Sequence, residues 1–419
     1  MTNRSSSTAS SEAHRLFGMS AHNGRWVFVI LGLIICTCLG AVYAFSVFRR
    51  PLVDSWGIST TASGLPFMIF LVMFALFMAV AGPMISRWGP RRVSIVGAVT
   101  VGVGWLLSGL SPNIWVLTVF YGGIAGAGVG ILYGCPIATV SKWFPDRRGL
   151  AVGLTVLGFG ISALVTAPII NMLIRNTGVL HAFSILGGVF LGLLLLLAVP
   201  FRFPPEDWAP EGWTPSPRQK VATVDTNPGN MVKTRTFRAL WATFTIGSLA
   251  GLMAIGFSKD FGLDVAHLQG PLATTAVSIF ALFNGAGRPL FGWMTDNRSP
   301  RFAAAISFVL IFAASVLLYL WGEGNVALYF VSFSLLWMTL GGWIAIAPTA
   351  TATLFGPKHY ARNYAIVFSA YGVGAILGSV LSGMIKDATG SYLPVFLPVI
   401  GLALLGFVIS VTSLKPLRA

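Results

Sequence analysis

Apolar residues run along this chain in blocks of about 20, the length that carries a helix across a hydrocarbon core. The blocks predict helices at 26–48, 61–85, 93–110, 114–140, 150–174 and 181–201. A polar stretch follows, and then helices at 239–258, 271–295, 303–322, 326–350, 362–385 and 392–414. The pattern is six helices, a linker, and six more. The linker, 202–238, holds "FPPEDWAPEGWTPSPRQKVATVDTNPGN", whose prolines and charges exclude a span. The predicted fold is an all-α membrane protein of twelve transmembrane helices in two pseudo-symmetric six-helix bundles. The bundles occupy 26–201 and 239–414, between polar tails at 1–25 and 415–419.

Two internal echoes support the duplication. "GPMISRWGPRR" from Gly82 and "GWMTDNRSPRF" from Gly292 share one offset, which pairs Gly82 with Gly292, Met84 with Met294, Pro90 with Pro300 and Arg91 with Arg301. "KWFPDRRGLAVG" from Lys142 is echoed by "TLFGPKHYARNYA" from Thr353, one residue off that register. Duplicated halves with a basic loop after the second helix resemble the major facilitator superfamily. The first copy has Ser86 where that family commonly has aspartate, and the second has Asp296.

Composition agrees with a membrane class: the chain is 55% hydrophobic and only 9% charged, against about 25% charged in soluble domains. Its net charge of +15 does not indicate nucleic acid, because the basic residues are spread over short loops rather than gathered in a patch. All lysines and arginines except Arg49, Arg50, Arg175, Lys259, Lys386 and Arg288 fall on the side of the N-terminus. The positive-inside rule then places both termini and the linker in the cytoplasm. Residues 1–25 show no cleavable signal pattern. Cys36, Cys38 and Cys135 lie within apolar runs without clustered histidines or acids, so neither a disulfide framework nor a metal or other cofactor is expected.

Within the helices, Gly122, Gly126, Gly130 and Gly134 form a stripe at i+4 spacing that suits close backbone packing; Gly374, Gly378 and Ser382 repeat it loosely. Arg288, in "IFALFNGAGRPLFGWMTD", is the conspicuous charge. The twelve acids and five histidines fall in tails, loops or helix ends, leaving Arg288 without an intramembrane counterion. A guanidinium at the centre of a span costs about 2.5–3.5 kcal/mol on insertion scales, and the simplest missing partner is a transported anion. Snorkelling to the surface is the alternative. Asn284, one turn earlier, makes that face polar and favours a wet cavity.

"WFPDRRGLAVG", "FNGAGRP" and "YARNYA" together resemble the oxalate/formate antiporter family, a bacterial group related to the monocarboxylate porters. The resemblance implies a carrier of small carboxylates working by alternating access in a bacterial cytoplasmic membrane. It makes Arg288 the carboxylate-binding arginine and Tyr43, Tyr133 and Phe159 pocket aromatics. Tyr371 stands where the oxalate carrier has a second cation, so the site suits a monocarboxylate rather than a dianion. Asn284 stands where eukaryotic relatives have aspartate; it can donate a hydrogen bond to a substrate hydroxyl or keto oxygen but carries no proton.

Proton coupling therefore needs another acid. Asp260, in "GFSKDFG", is the candidate, its alternative being an exposed loop acid paired with Lys259. Arg49 and Arg50 read as a positive mouth or as interfacial anchors. The expected function is secondary active transport of lactate- or pyruvate-like monocarboxylates, with proton symport, and carboxylate exchange is the alternative. The implied partners are a small carboxylate, a proton and the lipid bilayer, with the monomer as the working unit. Convergent catalytic groups are absent from the predicted spans, so an enzyme is not expected.

Overall fold

The computed structural model describes residues 15–205, 208–210, 225–356 and 359–414. The chain enters through a two-residue hairpin, β1 (Arg15–Leu16) and β2 (Met19–Ser20). Helix α1 (Ala21–Leu39) then tightens into a 3₁₀ stretch, Gly40–Ala44, before α2 (Ser46–Trp56). The predicted first span therefore begins earlier and runs on into a second helical segment. Helix α3 (Thr60–Ser108) follows, then α4 (Ile114–Leu117), a π turn over Thr118–Ala125, α5 (Gly126–Trp143), α6 (Arg148–Thr177) and α7 (Val179–Ala198). After the short α8 (Pro228–Met231) come α9 (Arg235–Asp264), α10 (Gly270–Asn297), α11 (Pro300–Trp321), α12 (Val326–Phe355), α13 (Tyr360–Thr389) and α14 (Phe396–Ser413). The interior of the predicted linker, 206–207 and 211–224, and the C-terminal tail lie outside the described residues.

Among the described residues ten helices are long and apolar enough to cross a membrane. One of them, α3, has 49 residues. As a straight rod it would reach about 70 Å, more than twice a hydrocarbon core of about 30 Å. It breaks at Gly89, whose φ of 78° lies in the left-handed region open to glycine, and Pro90 starts the next helix. The two spans predicted at 61–85 and 93–110 thus meet at a one-residue turn instead of a loop. Helix α10 is not among the ten, because it carries Arg288 and the polar residues around it. With α3 divided and α10 included, the described residues hold the expected twelve.

Local chemistry sets the ends. Side chains of Ser59, Thr234, Ser299 and Asn325 accept from free N–H groups at the starts of α3, α9, α11 and α12. The glycine stripe packs as its spacing suggests: Gly126 lies against the backbone of Phe70, and Gly130 against Phe74 and Phe77 of α3. On α13, Gly374 and Gly378 sit against α9 at Ser248 and Leu249.

Arg25 is fully buried and donates to both carboxylate oxygens of Asp146 at 2.6 and 2.9 Å, and to the Trp143 carbonyl. This ties the turn after α5 to α1. Partial burial pushes the Asp146 carboxyl up, but the hydrogen bonds and charge of Arg25 outweigh it and hold it below its ordinary value. The pair stabilises fully above the ordinary aspartate range, about pH 4, and that contribution is lost as pH falls below it. Asp146→Ala strands a buried guanidinium and is expected to cost about 3–5 kcal/mol. Thermal unfolding of purified protein checks this, and an unchanged Tm would contradict it.

Candidate functional site

Six residues singled out in the sequence meet between the two halves of the chain. Helix α10 presents Arg288 and Asn284 one turn apart, both buried. Helix α6 brings Phe159, the 3₁₀ stretch brings Tyr43, α5 brings Tyr133 and α13 brings Tyr371. The Phe159 ring lies 5.0 Å from Tyr43 and 5.4 Å from Tyr133, with the Arg288 guanidinium 5.8 Å from its centre. The hydroxyls of Tyr43 and Tyr371 share a hydrogen bond of 2.9 Å across the halves. Three aromatics that the sequence did not single out complete the enclosure: Phe74, Phe368 and Trp337.

Arg288 does not snorkel. It is 5% exposed, and its Nη1 donates to the Val156 carbonyl of α6 at 2.6 Å. Among the described residues it has no acidic partner. Its Nε is buried without a protein partner. Asn284 is equally informative. Its Nδ2 donates to the Trp337 carbonyl at 2.9 Å, leaving Oδ1 buried and unpartnered. A carbonyl only accepts, so the amide orientation is fixed by its partner. The sequence expected Asn284 to donate to a ligand; here one of its two amide N–H groups is committed to Trp337, and the fully open atom is the acceptor Oδ1.

Both open atoms face Gly160 of α6. A Cβ there would stand 3.0 Å from Arg288 Nε and 3.1 Å from Asn284 Oδ1. Only the missing side chain lets α6 cover the two atoms this closely. Unpaired buried polar atoms cost about 1–3 kcal/mol each. A donor, Arg288 Nε, and an acceptor, Asn284 Oδ1, are thus left without a hydrogen-bond partner on one face of α10.

Asp260 is not part of this cluster. It lies on α9 toward the opposite end, and its Oδ2 is 3.4 Å from Arg49. It is therefore neither exposed nor an ion-pair partner of Lys259. Arg49 is buried as well, because α2 carries it inward after the 3₁₀ stretch, so the readings as mouth or anchor fail for it. It donates to the carbonyls of Gly256 and Thr60 and to the Ser63 hydroxyl. Arg288 is thus one of several buried cations, since Arg25, Arg49 and Lys259 are buried too. Asp260 Oδ1 has no hydrogen-bond partner.

More contacts between the halves gather at the Asp260 end. Arg50 pairs with Asp264. Asp387 of α13 accepts from the backbone of Thr60 and Thr61, each at 2.9 Å, and from the Thr61 hydroxyl. A carboxylate at the N-terminus of α3 meets both free N–H groups and a favourable dipole. Among the described residues, hydrogen bonds between the halves occur at this end and at the centre, not at the end carrying Arg87, Arg91 and Lys142.

Comparisons with known proteins agree with this architecture. The chain is 31% identical over 372 residues to the oxalate:formate antiporter of Oxalobacter formigenes, covering 87% of this chain and 86% of that protein. It is 27% identical to monocarboxylate transporter 11 of Homo sapiens, over 74% of this chain and 66% of the other. The fold is similar to that of a bacterial homolog to the human lysosomal transporter Spinster, with a TM-score of 0.68, 16% identity and coverage of 93% and 98%. The family model of the Major Facilitator Superfamily matches residues 29–273 and 239–418, and this chain belongs to that superfamily as a multi-pass membrane transporter.

Proposed function

We propose that this transporter carries small 2-hydroxy monocarboxylates such as lactate by alternating access, coupled to protons. The observation that carries the reading is the open pair on α10, Arg288 Nε and Asn284 Oδ1. A carboxylate takes the guanidinium donor, and a 2-hydroxyl donates to the amide oxygen. A 2-keto group has no hydrogen to give, so lactate is favoured over pyruvate. The aromatics around Phe159 enclose the apolar remainder, as suits a mostly apolar pocket with few polar anchors. Tyr371 supplies no second charge, which disfavours a dianion.

Asp260 is the proton carrier in this reading. Its protonation removes the attraction to Arg49 and loosens the contacts that join the halves at that end. Substrate held at Arg288 replaces the Val156 carbonyl on Nη1, which frees α6 from α10. The two halves, 26–201 and 239–414, then rock about the site with the termini in the cytoplasm. The monomer is the working unit, set in a bacterial cytoplasmic membrane.

The 31% identity to an oxalate:formate antiporter favours a second reading, obligatory exchange of carboxylates. Proteoliposomes separate the two. Under an inward proton gradient with no internal anion, the symport reading expects net uptake of labelled L-lactate and less of pyruvate. Uptake only when oxalate or formate is preloaded inside would establish exchange and overturn symport.

A further inference from the structure

We propose that Asp387 is a positioning residue for transport: it caps the start of α3 from the opposite half and holds the site closed at the end away from the termini. The inference rests on the alternating-access reading and on no particular substrate. Thr60 and Thr61 open α3 in the first half, and Asp387 stands in the last turn of α13 in the second. The three hydrogen bonds from these threonines to its carboxylate therefore exist only while the halves meet at this end.

The first N–H groups of a helix have no partner within it. At α3 the Ser59 hydroxyl accepts only from Ala62. The N–H groups of Thr60 and Thr61 go to the two oxygens of Asp387, and once α13 withdraws they are left to water. Asp387 is in turn poorly placed on its own helix, because a carboxylate in a last turn meets the negative end of the dipole. Its neighbour Lys386 does not neutralise it, being committed to Asp264 at 2.7 Å and to the Gly390 carbonyl at 3.0 Å. Asp387 forms no ion pair among the described residues. The start of α3 is thus the favourable setting for this charge, and it belongs to the other half.

The packing is shaped for the same contact. Gly383 lies one turn before Asp387, and a Cβ there would stand 2.7 Å from the Thr61 Cα. The missing side chain lets α13 bring the carboxylate onto the α3 amides. Asp260 closes the same end differently, through Arg49. The Asp387 cap draws on backbone donors, so it holds whether Asp260 carries a proton or not. One helix cap is worth about fivefold in an equilibrium constant. Losing it changes how often this end opens without abolishing the closed state.

Double electron–electron resonance on the full-length protein in nanodiscs, without substrate, tests this role. Spin labels are attached through Ser55→Cys of α2 and Gln269→Cys before α10, both exposed at this end and in different halves. Cys36, Cys38 and Cys135 are replaced by alanine. Asp387→Ala is expected to raise the ratio of the long, open separation to the short, closed one about fivefold. Asp387→Asn keeps one acceptor without the charge and should fall between. Asp387 is exposed, so its replacement leaves α13 intact. Gly383→Ala wedges the helices apart with the carboxylate in place and should open the same end. A control pair within the first half, Ser55→Cys with Asn176→Cys, should keep its separation in every variant. The proposal is overturned if Asp387→Ala leaves the ratio unchanged, or if the control separation broadens with it, since the loss would then be one of fold. If Gly383→Ala alone raises the ratio, alternating access stands without this cap. One fixed separation in wild type and every variant would overturn that reading as well.

Discussion

Arg288→Gln is expected to lower labelled L-lactate uptake into proteoliposomes by about 100-fold or more. Truncating one partner of a buried charge pair costs about 2–5 kcal/mol, and each 1.4 kcal/mol is tenfold. Glutamine ends about two bonds short of the Nη1 that meets the Val156 carbonyl, so this variant removes the charge and that contact together. Lysine restores the charge without the planar fork and should recover only part of the rate. Gly160→Ala approaches the same site from the other helix, placing a methyl 2.9 Å from the Gly285 Cα, 3.0 Å from Arg288 Nε and 3.1 Å from Asn284 Oδ1, so it also pushes α6 from α10. It should reduce transport, while Gly153→Ala on the same helix faces open space and should be silent. Full uptake in Arg288→Gln would remove the arginine from the mechanism.

The second large effect is expected at Asp260. A pH gradient of one unit stores about 1.4 kcal/mol per proton, enough for about tenfold accumulation in one-to-one symport. Asp260→Asn should abolish that accumulation and leave equilibration across the membrane intact. Arg49 retains the Gly256 and Thr60 carbonyls and the Ser63 hydroxyl, so the asparagine variant is expected to fold. Lactate counterflow, which needs no gradient, is the control and should persist. Gradient-driven accumulation equal to wild type would exclude Asp260 as the proton site.

Much of the architecture was legible because apolar blocks of span length have one physical outcome in lipid. "RWGPRR" read as a connection between spans, and Gly89 supplies it by adopting a conformation open to glycine. Arg288 and Asn284 were legible as a polar face within an apolar helix. What the sequence hid depends on contacts between distant segments. The 3₁₀ stretch at Gly40–Ala44 lies inside an apolar run and leaves no polar mark, so nothing in the sequence announced that Arg49 turns inward to Asp260. The Asn284 orientation is set by a backbone carbonyl, Trp337 O, which any residue type would present. Asp387 reads as an ordinary helix-end acid until α3 places two N–H groups against it. Phe74, Phe368 and Trp337 look like three among many core aromatics, and only the packing of α3, α12 and α13 brings them against Phe159, Tyr371 and Tyr43 in turn.

The central claim is that Arg288 and Asn284 together bind a singly charged carboxylate. Thermal unfolding of the purified transporter and its Arg288→Gln variant, across C1–C4 mono- and dicarboxylates, tests it most directly, because a ligand stabilises the state it binds by mass action. The account predicts that L-lactate raises the wild-type Tm more than pyruvate or oxalate, and that Arg288→Gln loses most of this shift. A largest shift with a dicarboxylate, or a lactate shift undiminished in Arg288→Gln, would contradict it.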